Sequence, residues 1–589
     1  MTATYRVAVI FLFPIIHRFP TMKGCFFIKR LAQYFRSLQS GQSSYSMIYE
    51  DPIYWNNDVA YYIERTHKLT PDKPCITIKI PFDRLGLDEN MDQVVLSDFA
   101  LREWVDHIEA LNELIYNRSR SDKENGAFYC FRPTNVLLQR NASYVEVISE
   151  KWYLCLMMTV QLPFKNNNKA MRMLCKMLPK EVEEFIAKFD LIKLNAAYEL
   201  VKKQNMIREW LKSSGYCAFI GNGSILPRNK DNSGPLEGAL PFTSPEDVEV
   251  EICGLRGMGI KQGVTVITGG GYSGKSTLLD ALNSGIYNHI IGDGREFVIT
   301  DQSAMEISAE EGRSIKNINI TPFIKWIPNG SAEQFSTDYA SGSTSQAANI
   351  MEAINFGCKL LLIDEDRSAT NFMIQDIKMR SLIKHEPITP FTERVRELYE
   401  SVGVSSVLVI GGSGEFLSVA DQIILMDNFV PKNVTQEAKK LCEHDKPREC
   451  IPLTKWEIER KITTDHFSSY PQGSGTEKLM VSTMGYMMIG DEQIDVRGLY
   501  NITSHAQLAA IAFLIRKIAI NNQGRIIFPH EKIKKVLEDM EREGVDIVFS
   551  SFFPGFERWL ELPRINEVLS VINRMKHLNS IQIVPSEHL

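Results

Sequence analysis

The sequence predicts an α/β protein: a core of short buried strands alternating with helices over residues 216–430, an α+β region before it and a mostly helical region after it. Three observations carry that expectation. The apolar runs Val264–Thr268, Phe297–Thr300, Leu360–Ile363 and Val407–Ile410 have the length and composition of strands buried on both faces, which is how parallel strands read. They recur between stretches of helical character, the alternation that lays helices over a parallel sheet. The composition, 44% apolar and 23% charged in 589 residues, is that of a globular chain long enough for about two to four domains.

Charge and cysteine content exclude several classes. With 66 Lys and Arg against 72 Asp and Glu, the net charge is -6, so a nucleic acid would have to be held by a local basic surface. The 10 cysteines contain no CxxC pair, which argues against a zinc ribbon, a thioredoxin motif and a disulfide framework. The longest apolar run, Val7 to Ile16, contains Pro14 and falls well short of the about 20 residues that a spanning helix needs, so no membrane segment is expected.

Residues 1–47 read as a targeting leader. Arg6, Arg18, Lys23, Lys29, Arg30 and Arg36 precede the first acidic residue, Glu50, and are followed by Ser37, Ser40, Ser43, Ser44 and Ser46. A basic, acid-free, serine-rich start is the composition of a mitochondrial or plastid transit peptide, and points to the mitochondrial matrix. A start at Met22 or Met47 is the alternative, and would leave the protein cytoplasmic.

Residues 48–215 form the expected α+β accessory domain. Cys75–Ile80, Val145–Ile148 and Tyr153–Val160 are β-rich, and Glu181 to Lys212 reads as one long helix carrying Val182, Phe185, Ile186, Phe189, Ile192, Leu200 and Ile207, closed by a left-handed Gly215. Tyr216–Ile220 is a buried strand. The Gly-, Pro-, Asn- and Ser-rich stretch 221–245 reads as a domain junction. The last region, 431–589, is expected to be mostly helical, its clearest helix starting at a Ser504 N-cap and carrying Leu508, Ile511, Leu514, Ile515 and Ile518.

The chemistry is concentrated in the core. Gly269-Gly270-Gly271-Tyr272-Ser273-Gly274-Lys275-Ser276 satisfies the spacing of a phosphate-binding loop, and it follows the strand Val264–Thr268 and opens a helix at Thr277, as that motif requires. Glycines let backbone N–H groups close around phosphates, Lys275 reaches the terminal phosphates and the Ser276 hydroxyl ligates Mg2+. Leu360–Ile363 then delivers two carboxylates: Asp364 to hold the metal and Glu365 to orient the attacking water. ATP and Mg2+ are therefore the expected ligands, with Lys275 and Glu365 as the catalytic pair. Between these motifs lies Ala340-Ser341-Gly342-Ser343-Thr344-Ser345-Gln346-Ala347-Ala348, which alone would be only a helix cap.

Taken together, these motifs resemble the ABC class of P-loop ATPases, with Ser341-Gly342-Ser343 in the place of the signature segment and Ser368-Ala369-Thr370-Asn371 in that of the D-loop. The resemblance implies a homodimer in which Ser341, Gly342 and Ser343 of one protomer complete the ATP site of the other. It narrows to the family of soluble predicted ATPases of the ABC class through Gly292-Asp293-Gly294-Arg295-Glu296, Ala309-Glu310-Glu311-Gly312-Arg313, Glu386 to Phe391 and Gly411-Gly412-Ser413-Gly414. Kinetoplastid mitochondrial members of that family are linked to RNA-processing assemblies, so the resemblance implies RNA and RNA-processing proteins as partners and no membrane.

Some positions depart from the family. Ser273 stands where His is common and Arg367 where Thr is usual, and no histidine follows Val407–Ile410, which leaves Ser413 or a backbone amide to sense the terminal phosphate. Gln302 is the candidate glutamine-loop residue. Glu310 and Arg313 are read either as sensing or protomer-contact residues or as a solvated ion pair, and Asp293 and Arg295 equally as a glycine-fixed turn. Basic clusters at Lys202-Lys203, Arg460-Lys461, Arg516-Lys517 and Lys532 to Lys535 are the candidate RNA contacts, or else solvated helix faces. The alternatives to an RNA factor are a DNA-associated ATPase of the chromosome-maintenance or repair type, for which no heptad arms are visible, and a nucleotide-dependent assembly factor without nucleic acid.

Overall fold

The computed structural model describes residues 26–37, 45–49, 53–65, 72–116, 121–164, 166–230, 234–328, 330–383, 385–443, 459–470, 475, 477–482, 485–522, 524–549 and 559–583. The chain divides into two compact units, 1–199 with 538–562, and 200–537 with 563–589.

The first unit is built on a seven-stranded sheet ordered Phe26–Phe27, Ile53–Asn56, Val59–Arg65, Pro74–Pro81, Lys151–Gln161, Ala127–Tyr129, with Ser143–Ile148 also paired to Lys151–Gln161. All of these pairings are antiparallel except that of Phe26–Phe27 with Ile53–Asn56. Helix Gln93–Ile115 starts where the Asp92 carboxylate accepts from Val94 N and Val95 N at 2.9 and 3.1 Å, and it buries Leu96, Ala100, Trp104 and Ile108 in the unit's core.

Three expectations change here. The stretch 181–212 belongs to two helices, Leu178–Lys188 and Leu191–Ser214, because Asp190 accepts from Ile192 N and Lys193 N at 2.9 and 3.1 Å and so caps a new start. The supposed leader contributes Leu31, Phe35 and Tyr45 to the core, so removing residues 1–47 would take apart packing that the unit uses; residues 1–25 and 38–44 lie outside the described residues. Within 431–589, residues 538–562 pack with the first unit rather than with their neighbours in sequence. Arg140 lies buried between Asp98 and Glu561, and Leu560 N donates to Asn141 Oδ1 at 2.9 Å.

The second unit holds a six-stranded sheet. Its members are β1 (Val264–Thr268), β2 (Met305–Ile307), β3 (Leu360–Asp364), β4 (Ser405–Ile410), β5 (Gln422–Asp427) and β6 (Val430–Asn433), in the order β2-β3-β4-β1-β5-β6. All pairings are parallel except β5 with β6. Helices α1 (Lys275–Ser284), α2 (Gly342–Asn355) and α3 (Phe391–Val402) complete this layer. The run Phe297–Thr300 is not one of the parallel strands: Val298–Thr300 pairs antiparallel with Tyr216–Gly221 in a separate four-stranded sheet with Leu255–Lys261 and Glu249–Ile252. A short apolar run records burial but not direction. The stretch 221–245 accordingly runs inside this unit, between strands of one sheet, and is no junction.

C-terminal to the core, α4 (His505–Asn522) starts at Ser504, whose Oγ accepts from Gln507 N at 3.0 Å, and buries Leu508, Ile511, Leu514, Ile515 and Ile518 as expected. Helix α5 (Ile565–Asn573) lies against it. Two three-stranded sheets accompany these helices: Ile526–Ile527, Glu459–Thr463 and Ser580–Ile583, and Leu479–Val481, Tyr486–Ile489 and Glu492–Asp495.

Candidate nucleotide site

The loop 269–274 joins β1 to α1 and its form follows from two glycines. Gly269 has φ +147, and a Cβ there would meet Met426 O at 2.3 Å; Gly274 has φ +99 and lies against the Phe429 ring. Gly270 and Gly271, by contrast, face open space. Tyr272 adopts a left-handed φ of 59 and its side chain is fully exposed at 101%. Beside it, Ser273 Oγ is buried without a hydrogen-bond partner among the described residues. Lys275 Nζ donates to Gly269 O and Gly270 O at 2.9 and 2.7 Å, folding back over the loop, and Thr277 lies in the first turn of α1.

Register between strands brings the second motif to the first. β3 lies beside β4, and β4 beside β1, so the end of β3 reaches the start of α1, where Ser276 Oγ donates to Asp364 Oδ2 at 3.1 Å. Glu365 is held from the next strand: Gly411 N and Gly412 N, just past β4, donate to its Oε2 at 2.6 and 3.0 Å. Ser413, the other candidate at that position, has a buried Oγ without a partner among the described residues. Open backbone at Gly270 and Gly271, an orphaned Ser273 hydroxyl and the converging oxygens of Ser276 and Asp364 fit a phosphate chain with a hard divalent cation.

Ser341 is the N-cap of α2, as read from the sequence. The first turn is tied to the segment after Glu365: Ser343 Oγ donates to Asn371 Oδ1 at 2.7 Å, Gln346 Nε2 to Ser368 Oγ at 2.9 Å, and Ala369 N to Gln346 Oε1 at 2.9 Å. Among the described residues, no hydrogen bond joins Ser341, Gly342 or Ser343 to residues 269–277 of the same chain.

Arg367 has more to do than its place in the sequence suggested. Its guanidinium pairs with Glu306 on β2, lies 3.6 Å from Asp280 on α1 and stacks over the Tyr500 ring. Burial raises the Glu306 carboxyl to about 7 in spite of that arginine, and burial also raises Asp280. The same C-terminal segment grips the end of α1, where Asn283 Nδ2 donates to Tyr500 O at 3.2 Å and Tyr287 OH to Asn501 O at 3.2 Å.

The remaining candidates have structural partners. Glu310 and Arg313 are neither solvated nor paired with each other: Glu310 binds Arg574 on the C-terminal side of α5 and Asn349 on α2, while Arg313 binds Glu352 and Asn349. Burial would raise Glu310, but Arg574 and Arg313 outweigh it and hold the carboxyl below its usual range. Asp293 sits in the turn of Gly292 and Gly294, both at positive φ, and pairs with His289 and Arg228; Arg295 donates to Leu226 O. Gln302 is exposed, and its carbonyl accepts from Arg564.

The family model of the P-loop domain of ABC ATPases matches residues 191–460. Over those residues the chain is similar to the P-loop domain of ABC ATPases. The model of the MRB1590 C-terminal domain matches residues 478–581, which follow the ABC ATPase domain and include Tyr500, Asn501 and Arg574. The chain is 30% identical over 307 residues to the uncharacterized protein MJ1628 of Methanocaldococcus jannaschii, an alignment covering 49% of this chain and 66% of the relative's length. Among solved structures it is similar to the ADP conformation of MJ1267, an ATP-binding cassette of an ABC transporter (14% identity, 39% of this chain and 96% of that one, TM-score 0.23). It is also similar to cbiO1 from Clostridium perfringens, part of the ABC transporter complex cbiONQ (14% identity, 39% and 92%, TM-score 0.25). No helix among the described residues is long and apolar enough to cross a membrane.

Two parts of this candidate site escaped the sequence reading. The Gly411–Gly412 amides are acceptor-seeking groups at a strand end, and only the adjacency of β3 and β4 aims them at Glu365. The Arg367–Tyr500 stack joins positions far apart in sequence, and the one available signal was the unusual arginine itself.

Proposed function

We propose that the protein binds and hydrolyses ATP with Mg2+ as a head-to-tail homodimer, and that it acts on RNA in mitochondrial RNA processing. The observation that carries the ATPase reading is Glu365, fixed by two backbone N–H groups one residue beyond the Asp364 that meets Ser276. When bound, Mg2+ supplies charge to the terminal phosphates. Ser276 and Asp364 would hold that ion, the backbone of Gly269 to Gly274 and the Lys275 ammonium would hold the phosphates, and Thr277 continues the same helix start. Glu365 accepts the proton of the attacking water, and its two N–H partners keep the carboxylate in one orientation. Among the described residues, Ser341, Gly342 and Ser343 make no hydrogen bond to the loop of their own chain, which supports their use on the ATP of a second copy.

The RNA reading rests on the family resemblance and on the match to the MRB1590 C-terminal domain. The basic clusters narrow accordingly. Arg516 is buried against Glu477 at 2.8 Å, and Lys461 lies over the Phe528 ring at 4.6 Å, whereas Lys202, Lys203, Lys532, Lys534 and Lys535 are exposed. The test is ATP turnover by the purified protein together with crosslinking and sequencing of any bound nucleic acid. RNA should be recovered, and its affinity should fall with salt at a log–log slope of about −0.7 per neutralised phosphate. Recovery of DNA, or of no nucleic acid with ATP turnover intact, would replace RNA as the cargo.

A further inference from the structure

The first turn of α2 opens onto a cleft of about 350 Å3. Its lining combines apolar side chains, among them Trp326, Ile327, Pro328 and Ile388, with polar ones, Ser341 and Asn371. The apolar part of the lining is firmly held. Lys325 N donates to Pro387 O at 2.8 Å and Thr389 N to Phe323 O at 2.7 Å, and Phe323 packs between Phe372 and Phe391 with ring centres 5.3 and 6.3 Å away. Trp326, on this fixed segment, remains 48% exposed. A large indole kept in solvent in the lining of such a cleft is a surface shaped for another group.

The same chain carries a group of complementary form. Tyr272 projects from the phosphate loop with its whole side chain in solvent, and its left-handed backbone is one that bulky L residues rarely adopt. Glycine would take that conformation freely, so the tyrosine has a strained backbone and, among the described residues, an exposed ring with no compensating contact. Phosphates are held by the backbone of this loop and do not require an aromatic side chain there.

We propose that Tyr272 of each copy inserts its ring into the Trp326 cleft of the second copy, with its hydroxyl reaching the polar side chains of Ser341 and Asn371. The proposal rests on the head-to-tail dimer proposed above, in which the phosphate loop of one copy faces the α2 start of the other. In such a two-fold arrangement the contact occurs twice. Ring against indole supplies the apolar and aromatic contact, and the phenol supplies a donor for the serine and asparagine oxygens. The contact closes only when the two copies approach on ATP, so it adds affinity to the closed state alone.

The test uses full-length Glu365→Gln protein loaded with ATP and Mg2+, followed by analytical ultracentrifugation. A photoreactive benzoylphenylalanine at position 272 should crosslink to the peptide containing Trp326 of the other copy, and only with ATP. Trp326→Ala should weaken the dimer about tenfold while its monomer binds ATP as before. Tyr272→Ala should weaken it similarly, Tyr272→Phe less, and the Tyr272→Ala, Trp326→Ala double variant no more than either single one. A dimer of unchanged affinity in the single variants, or crosslinks that stay within one chain or map elsewhere, would overturn the cleft contact and leave the dimer standing. Trp326 dependence seen with ATP and absent with GTP would give the cleft to the nucleotide base instead. A Glu365→Gln protein that stays monomeric with ATP would remove the dimer reading and this contact with it.

Discussion

The Arg367 guanidinium lies over the Tyr500 ring, 4.7 Å from its centre. Arg367 follows Glu365 within one short turn, and Tyr500 lies in the region matching the MRB1590 C-terminal domain. The stack therefore ties the segment that carries Glu365 to a domain outside the core, while Glu306 and Asp280 fix the other sides of the same guanidinium.

Removing the ring should loosen that segment without touching the phosphate contacts. A cation–π contact of this kind contributes about 1 kcal/mol, so Tyr500→Ala should lower kcat about fivefold with KM nearly unchanged. Tyr500→Phe keeps the ring face and should keep the rate. Steady-state turnover of both variants checks this, and a Tyr500→Ala enzyme with wild-type kcat would remove the coupling.

Lys275→Ala should abolish most ATP affinity and leave the fold in place. Among the described residues the ammonium binds loop carbonyls alone, Gly269 O and Gly270 O. Titration calorimetry should find affinity reduced at least tenfold, with an unchanged circular dichroism spectrum. Wild-type affinity in a folded variant would mean that the loop is not the phosphate site.

Glu306 makes the stability of the second unit depend on pH. Burial raises its carboxyl from 4.5 to about 7, so between those values the unfolded chain releases a proton that the folded chain retains. Stability contributed by the protonated group is complete below about pH 4.5 and is lost as pH rises through about 7, by roughly 3 kcal/mol in all. Urea midpoints for the second unit should fall across that window, and Glu306→Gln should flatten the fall. An identical slope in the variant would assign the pH dependence to other groups.

The parts of this site that the sequence made legible are those whose geometry is local. Gly269 to Ser276 form one continuous turn between a strand and a helix, and spacing alone specifies it; the Ser341 and Ser504 caps are equally local. Parts that depend on which strands become neighbours were not legible, among them the Gly411 and Gly412 amides on Glu365 and the antiparallel placement of Val298–Thr300. Charge was misleading for the same reason. Arg516-Lys517 reads as a basic face, but Arg516 is turned inward because Glu477, from a segment well upstream, meets it there. Asp190 was a local signal passed over: its carboxylate ends the periodic stretch from Glu181 and starts a second helix.

Glu365→Gln should separate ATP binding from ATP cleavage. The amide oxygen can still accept from Gly411 N and Gly412 N, so the side chain keeps its place, but it no longer carries the negative charge that draws a proton from water. The variant should bind ATP, fail to cleave it and accumulate as a dimer, because a helix start favours an anion and, among the described residues, that of α2 makes no hydrogen bond to the phosphate loop of its own chain. Adding Ser341→Arg places bulk and charge at that contact. It also removes a cap contributing about 1 kcal/mol, which a helix as deeply buried as α2 tolerates. Ser341→Ala, which loses the same cap and hydroxyl without the bulk, should weaken the dimer far less than Ser341→Arg, so the pair separates a blocked interface from a weakened helix. Sedimentation with ATP and parallel hydrolysis assays decide the matter: a dimer that survives Ser341→Arg with full ATP occupancy would mean that the two copies do not meet through the α2 start, whatever holds them together.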